Sequence, residues 1–418
     1  MAELAPNASH HYTEMGIKGD LITDKAKLAS PLVGIRQTGF EDGNEIETET
    51  DEGHTGVANL DMGSFRKSAE SSPQWEDGCR YGQGFEDYIY MILPNKTINA
   101  HDTIDGIYIH KYEMDPTTDD DLPVATIYHG FAKTETDARI FNNAMLNEFE
   151  LTLSADDLPK VKTTFISDYN IVNVINPTRH LLEDHLARTV MAQHTSVYIG
   201  AVGATVEEML ENPIDCFTEA TLTVNHNAES QSCHGDDFGV NTKTMGAREL
   251  TGSISMPWVE RTKYFETEYE CYEKYGHIVS TEITQKQIMY LMEGGSIVRT
   301  SESDTIGSGE KIIKTVVVDE GEETETTIYY IDTGVPYKTA IIVPVAEVTN
   351  VTSTKSGNEA KDVTFEWKGI EKPEQSYMNV EITTDLPTPH IDTTTGVSRS
   401  SFYPNTTTYP EFAGTATQ

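Results

Sequence analysis

The chain has 418 residues and a formal net charge of −38, from 68 Asp and Glu against 30 Lys and Arg. That length exceeds one typical core and predicts two domains, while 37% hydrophobic and 9% aromatic residues exclude wholesale disorder. No basic block interrupts the acidic excess, which excludes a grip on DNA or RNA, because phosphates must be neutralised by cations.

The first thirty residues, MAELAPNASHHYTEMGIKGDLITDKAKLAS, hold no apolar stretch behind a basic start. Neither a secretion signal nor a bilayer-length span is expected, so the reading is synthesis in a cytoplasm and no membrane partner. His10-His11 reads as solvated. The acidic stretches FEDGNEIETETDEG (40–53) and DEGEETETT (319–327) read as solvated turns, as an adaptation to high salt, or as the wall of a negatively lined passage. Lys is not depleted relative to Arg, which counts against the second of these.

Residues 62–75, MGSFRKSAESSPQW, place Met-Gly thirteen positions before a Trp, and residues 245–258, MGARELTGSISMPW, do the same. Three matched letters decide little, but the elements that follow recur in order. GFEDYIYMILP (84–94) sets Phe85, Tyr88, Ile89 and Ile92 on one helical face and ends at Pro94, predicting a short helix over 84–93. TQKQIMYLMEGG (284–295) opens on Thr-x-x-Gln, sets Ile288, Leu291 and Met292 together and closes on Gly294-Gly295, predicting a second helix over 284–293. A hairpin is expected after each, over 106–130 and 310–333.

Alternation then predicts half-buried strands at EFELTLSADD (148–157), KVKTTFISD (160–168), EATLTVNHN (219–227), ELTGSISMPW (249–258), VAEVTNVTS (345–353) and DVTFEWKG (362–369). The strand pairs closing each half match: Glu148 to Phe165 spans 17 residues and Glu347 to Phe365 spans 18. Residues 170–215 read as a connector followed by a strand at SVYIGAV and a short helix at TVEEMLEN. The expected division is a first β domain with an N-terminal arm over 1–185, a second over 186–385, and an extended or disordered arm over 386–418, where Thr, Ser and Pro replace apolar periodicity.

Candidate chemistry is sparse. SCHGDD (232–237) has no second ligand pair at zinc spacing and reads as a polar turn, so no metal is assigned. GQGFED (82–87) has too few glycines to cradle phosphate. No serine-hydrolase elbow, zincin, Walker or dinucleotide motif occurs, and no catalytic or cofactor-binding residue is named. Cys79, Cys216, Cys233 and Cys271 are too far apart for a C-x-x-C site and read as free thiols. Trp75, Trp258 and Trp367 read as core.

The runs DEGHTGVANLDMGSFRKSAESSPQWEDGCRYGQGFEDYIYMIL, ARIFNNAMLNEFELTLSADDLPKVKTTFISDY, CFTEATLTVNHNAESQSCHGDDFGVNTKTMGARELTGSISMPW and AEVTNVTSTKSGNEAKDVTFEWKG resemble the tail tube proteins of long-tailed, siphovirus-like phages and archaeal tailed viruses. The resemblance covers most of 50–170 and 215–385. It implies two tandem β-sandwich or barrel units, each with a flanking helix and a long hairpin. It also implies a virion protein of a non-contractile tail that stacks in rings, with no enzymatic activity and no cofactor. Six units make a ring in that family, so a duplicated chain implies a homotrimer with pseudo-sixfold symmetry, or a homohexamer without duplication. Other tail proteins would meet the tube ends, and DNA would pass an acidic lumen without specific binding. The alternative is a monomeric β-sandwich binding module of adhesin or carbohydrate-binding type, which would need exposed aromatic platforms. A hydrolase on a β scaffold is a third reading.

Overall fold

The computed structural model describes residues 11–50, 64–93, 95–101, 104–114, 122–131, 138–168, 171–174, 188–211, 213–214, 216–231, 242–257, 285–318, 326–354, 362–372 and 376–398. Among the described residues strands take 63% and helical turns 6%, so the protein is mainly β.

The first half holds β1 (His11–Lys18), β2 (Val33–Ile35), β3 (Gln37–Glu41), β4 (Asn44–Thr50), β5 (Ser64–Ser71), β6 (Gln74–Gly78), α1 (Phe85–Ile92), β7 (Asn95–Ala100), β8 (Tyr108–Glu113), β9 (Val124–Phe131), β10 (Ala138–Ser154), β11 (Lys160–Asp168) and β12 (Ile171–Val174). The second holds β13 (Thr195–Gly200), α2 (Val206–Leu210), β14 (Glu219–Asn225), β15 (Glu229–Gln231), β16 (Thr242–Thr244), β17 (Glu249–Pro257), β18 (Gln285–Ser301), β19 (Lys311–Val318), β20 (Thr326–Thr354), β21 (Asp362–Gly369), β22 (Asn379–Thr384) and β23 (Ile391–Asp392).

Eight strands pair antiparallel in the order β3–β6–β11–β10–β14–β17–β21–β20. The long strands β10 and β20 leave this sheet toward their N-terminal ends. There β10 joins β1 and β9 in the order β1–β9–β10, and β20 joins the order β13–β18–β20–β22–β8–β7. Followed pair by pair, these ladders branch but never return to a starting strand, so sheet edges stay open among the described residues. One apolar core serves both halves, with Trp75, Phe149 and Phe165 from the first and Leu222, Phe365 and Trp367 from the second in one cluster. The ladder between β10 and β14 carries hydrogen bonding across residue 185.

Alternation explains the strands of the eight-stranded sheet. On β10, Phe149, Leu151 and Leu153 are buried while Glu150, Thr152 and Ser154 are not, and β14, β17 and β21 follow the same pattern. α1 forms where periodicity placed it and buries Phe85, Tyr88, Ile89 and Ile92. Gly84 caps it at φ 104°, and a Cβ there would lie 2.5 Å from Ile35 Cδ1. The left-handed backbone is what requires glycine here, since the Ile35 terminal methyl could shift. α2 carries the capping box of Thr205 and Glu208.

Several expectations are corrected. The helix over 284–293 is instead the strand β18, whose residues Gln287 to Met292 are buried without a break: Ile288, Tyr290 and Met292 face the main core, while Met289 and Leu291 pack with Tyr198 of β13 and Met209 of α2. A strand buried on both faces yields a continuous apolar run, in which helical spacing can always be found. The 106–130 hairpin does not form: β8 pairs with β7 and β22, and β9 pairs with β1 and β10. The 310–333 hairpin does form, as β19 against β20. Within the expected connector, β12 pairs with β10. The C-terminal arm is bound as far as it is described: β23 lies parallel to β1, and Val397 bridges Leu28. The polar turn SCHGDD and Trp258 lie outside the described residues.

Candidate assembly surface

Three features of the eight-stranded sheet define the surface: a joint within the chain, a polar face, and two open edges. The joint is a ladder of seven residue pairs, from Glu148 opposite Asn225 to Ser154 opposite Glu219. It continues where His226 N donates to Asn147 O (2.9 Å) and Ala228 N to Asn147 Oδ1 (2.8 Å). Beside it the buried Lys243 ammonium of β16 pairs with the buried Asp168 carboxylate of β11, which also accepts from Asn143 Nδ2 at 2.6 Å. Burial holds Lys243 below its ordinary range against the upward pull of Asp168. His226 is also buried at the joint, and burial pulls it down to about 4, with Arg248 adding to the effect.

The face turned away from the core is continuous across the sheet because the registers align its residues. Moving from β6 to β21, Glu76, Lys162, Glu150, Thr223, Thr251 and Lys368 lie in one file. Parallel files add Glu148, Glu219, Glu249, Asp362 and Glu366, so carboxylates outnumber the lysines Lys160, Lys162 and Lys368. Hydroxyls fill the spaces: Thr221 Oγ1 meets Ser253 Oγ at 2.9 Å, and Ser255 Oγ meets Thr364 Oγ1 at 2.7 Å. Such a wall is hydrated and acidic, and repels a polyanion within about a Debye length, ~8 Å at physiological salt.

The open edges are β3 with the start of β4 at one end, and the Val348–Thr354 stretch of β20 at the other. Among the described residues, each pairs on one side only. A cleft of about 510 Å³ lies beside β3, lined by His11, Phe40, Asp42, His129 and Arg139. His11 is exposed but stacks on His129 at 5.4 Å, so it is not simply solvated. Burial drives His129 down to about 3. Trp75 and Trp367 are buried as expected, and Trp75 Nε1 donates to the Tyr88 hydroxyl at 3.0 Å.

No grouping of His, Cys, Asp and Glu suited to a metal ion occurs among the described residues. Cys79 and Cys216 are free thiols. In the GQGFED stretch the Gly82 N–H donates to both Glu86 oxygens (2.9 and 2.7 Å), so the chain's own carboxylate occupies the loop. Burial raises Glu86 to about 7, and it raises Asp77 to about 8 despite Arg80 nearby. These carboxyls lie within the fold rather than on the open face. No protein-family model and no curated protein matches the chain.

Proposed function

We propose that the chain is a structural protein built from two copies of one β unit, and that its copies join edge to edge into rings whose polar face lines a passage for a polyanion. The observation that carries this reading is a repeated irregularity. Opposite β11, β10 bulges between Leu146 and Glu148; opposite β21, β20 bulges between Val348 and Asn350. Leu146 faces Phe165, and Val348 faces Trp367, so both strands of the second pair follow the first by 202 residues.

The partners of these strands follow suit. β11–β6–β3 corresponds to β21–β17–β14, β1–β9–β10 to β13–β18–β20, and the β4–β5 hairpin to β15–β16. Bulges persist within families and are not scattered at random. The Met-Gly and Trp letters do not belong to this correspondence. Trp75 faces Thr163, whose counterpart Phe365 faces Ile254, four residues before Trp258.

In this reading β14 on β10 is one unit docked on the next, inside a single chain. β3, the counterpart of β14, is then left without a neighbour on its outer side among the described residues, and so is the C-terminal half of β20, the counterpart of that half of β10. Edge strands are liabilities unless paired, and a heterologous contact closes when its rotation divides the circle. Three chains would supply six units, in agreement with the tail tube resemblance, and DNA would pass the acidic hydroxyl-rich wall without being held. The chain would act in a virion tail and perform no catalysis. The buried tryptophans give no support to a carbohydrate-binding platform.

Electron microscopy of the purified chain at high concentration tests the reading. Rings or tubes with sixfold-like projections are expected, and dispersed monomers would overturn it.

A further inference from the structure

In the ion pairs of Lys111, Lys160, Lys338 and Lys368 the lysine side chain is between 39% and 52% open to water, whereas Lys243 and its partner Asp168 are 5% and 1% open. A lysine kept out of water loses part of its hold on the proton and gains nucleophilic character. Burial does hold Lys243 below its ordinary range. The two residues lie 75 positions apart, one on β11 and the other on β16, so the pair spans the two halves of the chain.

Each oxygen of Asp168 has its own partner. Oδ1 meets Lys243 Nζ, and Oδ2 accepts from Asn143 Nδ2 at 2.6 Å. The Asn143 carboxamide is fixed at both ends, since Nδ2 also donates to Lys25 O at 3.1 Å and Oδ1 accepts from Lys18 Nζ at 2.5 Å. An ammonium on the amide oxygen strengthens the amide N–H as a donor. Across the ladder of β11 and β5, Asp168 stands opposite a second carboxylate, Glu70, whose charge also acts on Lys243. Buried lysine, carboxyl, a fixed donor on the far carboxyl oxygen and a neighbouring base are the parts that amide formation requires.

We propose that Lys243 and Asp168 react after folding to form an amide bond between their side chains, which seals the joint covalently. The ion pair is the newly folded state and the reactant. One Nζ proton passes to Oδ1, leaving a neutral amine and a neutral acid. The Nζ lone pair then attacks Cγ, and the π pair of the carbonyl moves onto Oδ2, where the Asn143 N–H stabilises it. Glu70 takes a second Nζ proton and delivers it to Oδ1. The Cγ–Oδ1 bond breaks with its electrons on the departing water as the Cγ–Oδ2 double bond re-forms, and the third proton stays on the amide nitrogen. One ammonium and one carboxylate thus give one amide and one water, with no oxidant or cofactor consumed. Holding the two groups in contact supplies the effective concentration that amines and carboxylic acids lack in solution. The bond concerns a single chain and stands apart from the assembly reading.

Mass spectrometry of the full chain, aged at neutral pH until its mass is constant, tests the bond. The wild type is expected to be lighter than its sequence by one water, and proteolysis is expected to leave the peptides containing residues 168 and 243 joined. Lys243→Arg keeps the charge but lacks the amine, and is expected at full mass. Glu70→Gln is expected to seal at least about tenfold more slowly, and sealing at an unchanged rate would overturn the proton route through Glu70. Melting curves check that each variant folds. Full mass in the aged wild type would overturn the proposal, as would a water lost without the joined peptides or a loss that persists in Lys243→Arg. The wild-type mass and its joined peptides decide the matter even where a variant fails to fold.

Discussion

On the proposed two-unit reading, the joint inside the chain and the edges outside it correspond in strand order but differ in finish. At the joint, β14 is regular over seven residues and alternates strictly between buried and less buried positions. β3 is shorter, bulges between Thr38 and Glu41, and carries Phe40 as its one large apolar residue. The joint also has the Lys243–Asp168 pair, whereas on the proposed two-unit reading the position corresponding to Asp168 is Ile370. A contact made once, during folding, can be built with buried charge and a full ladder. One that must wait for a second molecule is expected to remain soluble until then, and a short, bulged, acidic strand suits that requirement.

Removing the charge partner at the joint should have the largest effect. Lys243→Ala removes the ammonium paired with the buried Asp168 and is expected to cost about 3–5 kcal/mol in denaturant unfolding. Lys243→Met combined with Asp168→Asn should recover most of that loss. Equal destabilisation by the double variant would show that the pair does not act through charge.

Next comes pH. His226 is neutral in the fold because burial depresses it to about 4, so the unfolded chain takes up a proton first as pH falls from 6.5. Its contribution is fully present above 6.5 and declines between 6.5 and 4, by about 3 kcal/mol in all. Asp77 and Glu86 act in the opposite sense, since raised carboxyls stabilise the acid side. The clean readout is therefore the difference between wild type and His226→Phe, which should shrink in that window. A constant difference would place the histidine outside the titration.

The smallest effect on folding is expected at the open face. Glu150→Lys, Thr223→Lys and Glu366→Lys together should change stability by no more than about 0.5 kcal/mol each, yet convert a wall that ignores duplex DNA into one that retains it, with affinity falling steeply as salt rises. Retention of DNA by the wild-type chain would contradict a non-adhesive lining.

The strands forming the polar wall were legible in the sequence because each buries one face, as Phe149, Leu151 and Leu153 or Val363, Phe365 and Trp367 announce. α1 was legible from its spacing and its proline stop. β18 was not, since the main core covers one face and Tyr198 with Met209 of α2 packs on the other, which removes alternation and leaves an apolar run open to either reading. The partnership of β8 with β22 joins residues more than 260 positions apart, and nothing local encodes it. The C-terminal segment carries no apolar period because its anchors are polar: His390 on Asp87 (2.9 Å), and Asp392 accepting from Ser30 N (2.7 Å). Hydrophobic periodicity is silent about such anchors. Of the assembly surface, composition conveyed the acidity, while the edges required knowledge of which strands lacked neighbours.

Transferring the joint's register to the open edges places Glu45 of one chain opposite Asn350 of the next, as Asn225 lies opposite Glu148. Two single variants, Glu45→Cys and Asn350→Cys, can be mixed and oxidised, and the double variant oxidised alone. The mixture should yield covalent dimers absent from either single variant, and the double variant a closed covalent trimer. Failure to cross-link under conditions where the chains are associated, or a bond formed within one chain, would contradict edge-to-edge joining.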